Sequence, residues 1–194
     1  MIHFKSIPVL LLLLVFSVVQ SQVQYNAAPG SNNSILIEGT SNIHDWEILA
    51  KNFTSQIDLT ASEGELEKVN SIDLSIPVKS FNSGKGKMDK NTYKALNEDE
   101  YKLVSFTSSI PVQLVETSTG VYKAMVQGEL TISGTTKTVE IPVEFHKTNA
   151  GFILKADQGL NMTDYGIEPP TALFGTITTG ETVNIIFNLT HYKS

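Results

Sequence analysis

The sequence contains no cysteine, no arginine and a single tryptophan in 194 residues. Without cysteine there is no disulfide to staple the fold, and no thiol for covalent catalysis, redox chemistry or lipid attachment. Such a chain depends on packing and on a well-paired sheet. All 14 basic residues are lysine, set against 20 acidic residues for a net charge of −6. No basic cluster stands out beyond KGKMDK at 85–90, so the cationic footprint that nucleic-acid binding requires is missing. Long apolar runs are scarce too. The one at 7–19 has 13 residues, short of the roughly 20 that span a bilayer as a helix.

That run has a different use. Lys5 and His3 precede it, and Val19 and Ser21 are placed as the small residues of a cleavage site before Gln22. This is the pattern of a cleavable secretory signal peptide. Residues 1–21 are therefore expected to direct export to the periplasm, or secretion. Residues 22–33 (QVQYNAAPGSNN) are polar and rich in turn formers. They are expected as a flexible lead-in or as part of an edge strand around residues 23–25. The remainder, 34–194, is long enough for one domain with its own core.

Within it, two-residue alternation dominates. Phe53, Ser55, Ile57 and Leu59 share one parity, as do Ile72, Leu74, Ile76 and Val78. The same holds for Tyr122 through Ile132 on even numbers, for Val139, Ile141, Val143 and Phe145, and for Val183, Ile185, Phe187 and Leu189. Successive strand side chains point to opposite faces. These are strands with one apolar and one wetter face, about eight of them, in an all-β antiparallel fold: a sandwich or a closed barrel. Closure would remove the exposed edges that promote aggregation. Turns are expected at 118–120 (STG) and around Gly134, which can take a positive φ. One segment breaks the pattern. MDKNTYKALNEDE (88–100) predicts a short helix near 88–97, capped by Asp89, with Met88, Thr92, Tyr93 and Leu96 on one side.

The chemistry-bearing residues do not assemble into a catalytic signature. NSGKGK (82–87) combines glycine and lysine but lacks the spacing of a nucleotide-binding phosphate loop. Of the four histidines, His3 belongs to the signal peptide, His146 has surface parity, and His191 follows the last strand with no evident partner. Only His44, beside Asp45 and Trp46 in GTSNIHDWE (39–47), has suggestive neighbours. Adjacent strand residues face opposite ways, so His44 and Asp45 could converge only in a turn. No HExxH, GxSxG elbow or dense ligand cluster accompanies them. No catalytic residue, metal site or cofactor is expected. Ser41 and Asn42 favour a turn, to which Asp45 could contribute by accepting a backbone N–H, and Trp46 opens the apolar parity shared by Ile48 and Ala50 as a large anchor.

Four segments, GTSNIHDW (39–46), SGKGKMDKNTYKAL (83–96), GELTISGTTKTVEIPV (128–143) and MTDYGIEPP with the later Gly175 (162–175), together resemble the YceI-like domain family in order and spacing, especially its short exported bacterial members. The resemblance implies an extended, lipocalin-like antiparallel β-barrel. It also implies a periplasmic binding or carrier protein, not an enzyme, whose interior holds an apolar lipid such as a polyprenyl or quinone-like molecule. Contact with a membrane would be transient. On that reading the inward apolar parity supplies the cavity candidates Trp46, Phe53, Ile57, Leu74 and Phe106, together with Tyr122, Val126, Phe145, Phe152 and Phe187. His44, Lys85 and Lys87 are candidates for the pocket mouth. The alternatives are a filled envelope barrel that acts through its loops or helix, and an enzyme or metal protein built on His44 and Asp45.

Overall fold

The computed structural model describes residues 21–30 and 32–194. The expected signal peptide lies outside the described residues except for Ser21. In chain order the elements are β1 (Ser21–Ala27), β2 (Ser34–Ser41), β3 (Trp46–Ala50), β4 (Thr54–Ser62), β5 (Glu65–Pro77), β6 (Phe81–Asn82), α1 (Gly86–Ala95), β7 (Leu103–Ser108), β8 (Val112–Gln113), β9 (Val115–Ser118), β10 (Val121–Ile132), β11 (Thr135–Thr148), β12 (Gly151–Asn161), β13 (Thr171–Ala172) and β14 (Ile177–Lys193). Short 3-10 turns occupy Val78–Ser80 and Met162–Tyr165.

The strands form an eight-stranded antiparallel barrel of lipocalin-like shape. Its ring runs β1-β4-β5-β7-β10-β11-β12-β14, and β14 returns to β1 through Tyr25 opposite Lys193 and Asn26 opposite Tyr192. Higher up the same wall, β14 pairs β2, β2 pairs β3 and β3 pairs β6. Thus β1 with β2, β3 with β4, and β5 with β6 each act as one long stave broken in the middle. Such breaks let a stave bend as the barrel closes. Each inward parity read from the sequence is the buried one: Phe53, Ile57 and Leu59, Ile72 and Ile76, Tyr122, Val126, Leu130 and Ile132, Ile141, Val143 and Phe145 all belong to a single core.

Local chemistry sets the turns. Ser133 and Gly134 both take positive φ, 48° and 77°, the primed turn that matches the right-handed twist of a two-residue hairpin. The ring of Tyr101 presses against Gly134 where a Cβ would project, so position 134 needs glycine for space as well as for φ.

The structure changes what was expected of the N-terminal stretch, of the helix limits and of the helix cap. The stretch 22–33, expected as a flexible lead-in or part of an edge strand, contributes most of β1. β1 pairs β4 over its whole length and touches β14 on its other side, so it closes the barrel. The helix begins at Gly86 and ends at Ala95, two residues ahead of the expected span at each end. Asp89 is not its cap. Lys85 holds that position, and Asp89 lies inside the first turn. Its carboxylate instead reaches back and accepts from the Ser83 N–H (2.7 Å) and hydroxyl (2.6 Å). These bonds tie the glycine-rich segment into a fixed entry to the helix.

Candidate ligand-binding site

The barrel bore has three storeys, and side-chain size at each height decides what it contains. At one end, where β14 meets β1, large side chains fill it. Phe152 stacks on the His191 ring at 4.9 Å and 15°. It also meets Phe145 edge-on at 5.1 Å and Tyr25 at 5.0 Å. Phe145, Phe152, Ile57, Leu59 and His191 are all buried. In the middle is a pocket of about 80 Å³, lined among others by Leu74, Phe106, Val126, Leu154, Ala156 and Phe187. At the other end is a chamber of about 440 Å³ with apolar walls from Ile37, Ile48, Ile132, Leu160, Val183 and Ile185.

Helix α1 crosses this wide end. Met88, Asn91, Thr92, Ala95 and Leu96 face the chamber. Tyr93, expected beside Met88 and Leu96, turns aside, and its hydroxyl donates to the Phe81 carbonyl at 2.8 Å. Glu98, just past the helix, pairs with Lys102 at 3.1 Å and Lys79 at 3.3 Å, so the helix exit is clamped to the starts of β6 and β7. Burial pushes the Glu98 carboxyl up, but the hydrogen bonds and charges of Lys102 and Lys79 outweigh it and hold the group below its ordinary range. Opposite the helix, Met162 to Leu173 contributes Met162, Ile167, Pro170, Thr171, Ala172 and Leu173. The side chain of Asn161 starts this segment by accepting the Thr163 N–H at 3.0 Å.

The segment GTSNIHDWE enters the chamber wall from a turn. The Ser41 hydroxyl donates to the His44 carbonyl at 2.7 Å and accepts the His44 N–H at 3.2 Å. Asn42 stitches the turn to the next loop by donating to the Thr176 carbonyl at 2.9 Å and accepting the Thr178 N–H at 3.0 Å. The expected bracing by Asp45 is absent: among the described residues its side chain makes no hydrogen bond or ion pair. His44 Nδ1 donates to the Asp45 main-chain carbonyl at 2.7 Å, so the pair is not a carboxylate–imidazole couple. Trp46 is half-buried, lines the chamber and donates from Nε1 to the Thr40 carbonyl at 2.9 Å. Its ring lies over Gly39, its cross-strand neighbour, and a Cβ at 39 would land inside that ring.

The candidates drawn from the sequence therefore separate by height. Trp46 with His44, Lys85 and Lys87 lines the open chamber. Leu74, Phe106, Val126 and Phe187 line the middle pocket. Phe53, Ile57, Tyr122, Phe145 and Phe152 line neither void and belong to the packed core. Most of the chamber wall had no signal of its own beyond alternation. Met162, Ile167 and Leu173 lie in an irregular segment where even alternation is absent.

His191, expected past the last strand without a partner, is corrected on both counts. It lies within β14, fully enclosed. Its Nδ1 is 3.2 Å from the Leu189 carbonyl and its Nε2 is 2.9 Å from the Ser55 hydroxyl. A carbonyl only accepts, so Nδ1 carries the proton and Nε2 accepts from Ser55. Burial pushes this imidazole down to about 4, so it is neutral near pH 7. His146, expected at the surface, is half-buried beside the Glu144 carboxylate. At the packed end the Tyr122 hydroxyl donates to Glu65, which also accepts from Lys147 at 2.7 Å. Burial, then the bond to Glu65, pushes Tyr122 up to about 12. That phenol stays protonated and closes the core instead of exchanging protons. Among the described residues no group of three or more His, Asp or Glu side chains could hold a metal ion. What remains is a concave apolar volume with a few polar groups at its rim, the usual form of a small-molecule site.

Comparison with known proteins agrees with this geometry. A family model described as a YceI-like domain matches residues 21–191. Among solved structures, the fold is similar to BcnA of Burkholderia cenocepacia (19% identity, 81% of this chain and 94% of that one, TM-score 0.64). It is also similar to a polyisoprenoid-binding domain from Saccharophagus degradans implicated in plant cell wall breakdown (11% identity, 87% and 98%, TM-score 0.66). A third similar structure is the YceI protein of Campylobacter jejuni (16% identity, 76% and 84%, TM-score 0.57). No curated protein matches the chain.

Proposed function

The chain belongs to the YceI-like domain family, and from that premise we propose that it is a binding or carrier protein for an apolar, isoprenoid-like lipid held in the barrel interior. The observation that carries the reading is the chamber of about 440 Å³, walled by mostly apolar side chains, with α1 and the Met162 to Leu173 segment both contributing to its lining. Burying a chain there removes it from water at about 0.8 kcal/mol per methylene, and no catalytic residue is needed. Trp46 is the largest side chain of the wall, while Leu74, Phe106, Val126 and Phe187 shape the pocket beneath it. The leader-like segment at 1–21 supports export to the periplasm, where such a protein would meet membranes only transiently while loading or unloading. The similarity to a polyisoprenoid-binding domain supports the ligand class.

The test is native mass spectrometry of gently purified mature protein, followed by solvent extraction of whatever is bound. A stoichiometric lipid of one class is the expected result. Protein that is empty, and that takes up neither prenyl nor acyl chains on incubation, would overturn the reading in favour of a barrel that acts only through its surface.

A further inference from the structure

The open chamber and the pocket beneath it share four lining residues, Ile37, Phe81, Val104 and Ile185. These side chains stand between the two voids. Phe81 is the largest of them. Its N–H donates to the Val78 carbonyl, and its carbonyl accepts the Tyr93 hydroxyl at 2.8 Å. Ala50 lies opposite it in the sheet, and its side chain is buried. The main chain that carries this buried ring is held by a 3-10 turn, a strand and a helix, which places the ring as a floor. Above it lie about 440 Å³ and below it about 80 Å³. At about 30 Å³ for each water-sized or methylene-sized group, the upper volume holds about fifteen such groups and the lower about three.

The rim supplies the second constraint. The ionisable residues lining the chamber are His44, Lys85 and Lys87, and no carboxylate lines it. That distribution runs against the chain as a whole, with its net charge of −6. Lys79, Lys102, Lys123, Lys137 and Lys147 are each matched to a carboxylate. Lys85 and Lys87 are exposed, and neither forms an ion pair among the described residues. The nearby Asp89 carboxylate is occupied by Ser83.

We propose that the site selects an anionic single-chain amphiphile. Its carboxylate or phosphate head lies at the Lys85 and Lys87 rim, its chain of about fifteen carbons fills the chamber, and Phe81 sets the chain length. The inference rests on the reading that the interior holds an apolar chain, and it adds the head-group charge and a length limit. A second chain of similar length has no room beside the first. A chain much longer than the chamber must either displace Phe81 or leave its end in water.

The experiment uses delipidated mature protein and displacement of the fluorophore 1-aminoanthracene. Competitors are the saturated fatty acids from decanoate to docosanoate, the alcohols of matching length, farnesyl phosphate and farnesol. The wild type is expected to bind best near palmitate, to prefer acid over matching alcohol by about fivefold, and to show the same preference for farnesyl phosphate over farnesol. Whichever of palmitate and farnesyl phosphate binds tighter assigns the chain as acyl or prenyl. Lys85→Gln with Lys87→Gln should narrow the gap between acid and alcohol. Phe81→Ala should move the optimum to chains longer by about three carbons or more. Phe81→Leu should move it less, and serves if the alanine variant does not fold. Alcohols bound as tightly as acids, affinity that climbs unbroken to docosanoate in the wild type, or folded Phe81 variants with an unmoved optimum would each overturn the inference while leaving the lipid reading in place. Failure of every competitor to bind would overturn the lipid reading and this inference with it.

Discussion

The two ends of the barrel obey the same alternation and have opposite contents. Along β12 the inward residues run from Phe152 at the packed end, through Leu154 and Ala156, to Leu160 at the open chamber. Along β14 they run from His191 through Leu189 and Phe187 to Ile185 and Val183. At the packed end, rings from the neighbouring staves β11, β12, β14 and β1 pack against one another and fill the bore. At the other end the wall is mostly aliphatic, with Trp46 and Phe81 the only apolar aromatic rings among the lining residues, and the residues that α1 adds leave the chamber unfilled. A protein interior is normally close-packed, so a void of this size must be held open by a stiff frame. The packed end and the closed ring of hydrogen bonds provide that frame. Stability and capacity are therefore divided between the two halves of one barrel.

This division can be broken from either side. The largest effect is expected from Phe152→Ala, which removes the ring at the centre of the aromatic cluster. It should cost roughly 3–5 kcal/mol in denaturant unfolding, while affinity per folded molecule changes little. A similar loss of affinity in the folded fraction would mean that the halves are not separable.

Next is the response to pH at the packed end. The buried His191 is held at about 4, below its ordinary value of 6.5. Between these values the unfolded chain takes up a proton that the folded one refuses. The contribution is therefore fully present above about pH 6.5 and is lost as pH falls towards 4, by roughly 3 kcal/mol at most. Chemical denaturation of the wild type and of His191→Gln at pH 7.5 and pH 4.5 isolates this difference. The variant should lose distinctly less stability on acidification, because carboxylates such as Glu65 and Glu144 titrate in both proteins.

At the open end, Gly39→Ala should displace the Trp46 ring, costing about 1–3 kcal/mol and altering Trp46 fluorescence, the only tryptophan signal in the chain. An unchanged spectrum would show that the ring does not lie over residue 39. The smallest stability effect is expected from Trp46→Ala. Because that side chain is half-buried, the loss should be about 1–2 kcal/mol, with lipid uptake weakened about tenfold or more. The reverse pattern would move Trp46 from the wall to the core.

Much of this molecule was legible in its sequence. Period-two alternation identified the strands and their inward faces, and the break in that period located the helix to within two residues. The same pattern could not say that Phe145 and Phe152 plug one end while Trp46 lines the other. Alternation reports which face a residue occupies and says nothing of its height along the bore. The helix limits moved because its start is set by Asp89 reaching back to Ser83, a bond between residues whose separation fits a cap poorly. His191 looked unpartnered because Ser55 and Phe152 are remote in the chain and meet it only after the barrel closes.

By itself, then, the sequence determined the kind of structure: a cysteine-free, all-β antiparallel fold with one short helix, written in local rules of side-chain period, turn chemistry and composition, with closure into a barrel implied only by the family resemblance. Only the tertiary structure decided where that barrel is full, where it is hollow, and which side chains line the hollow. Those properties depend on the sizes and charges of side chains from distant staves that share one height, and the order of residues along the chain does not record that height.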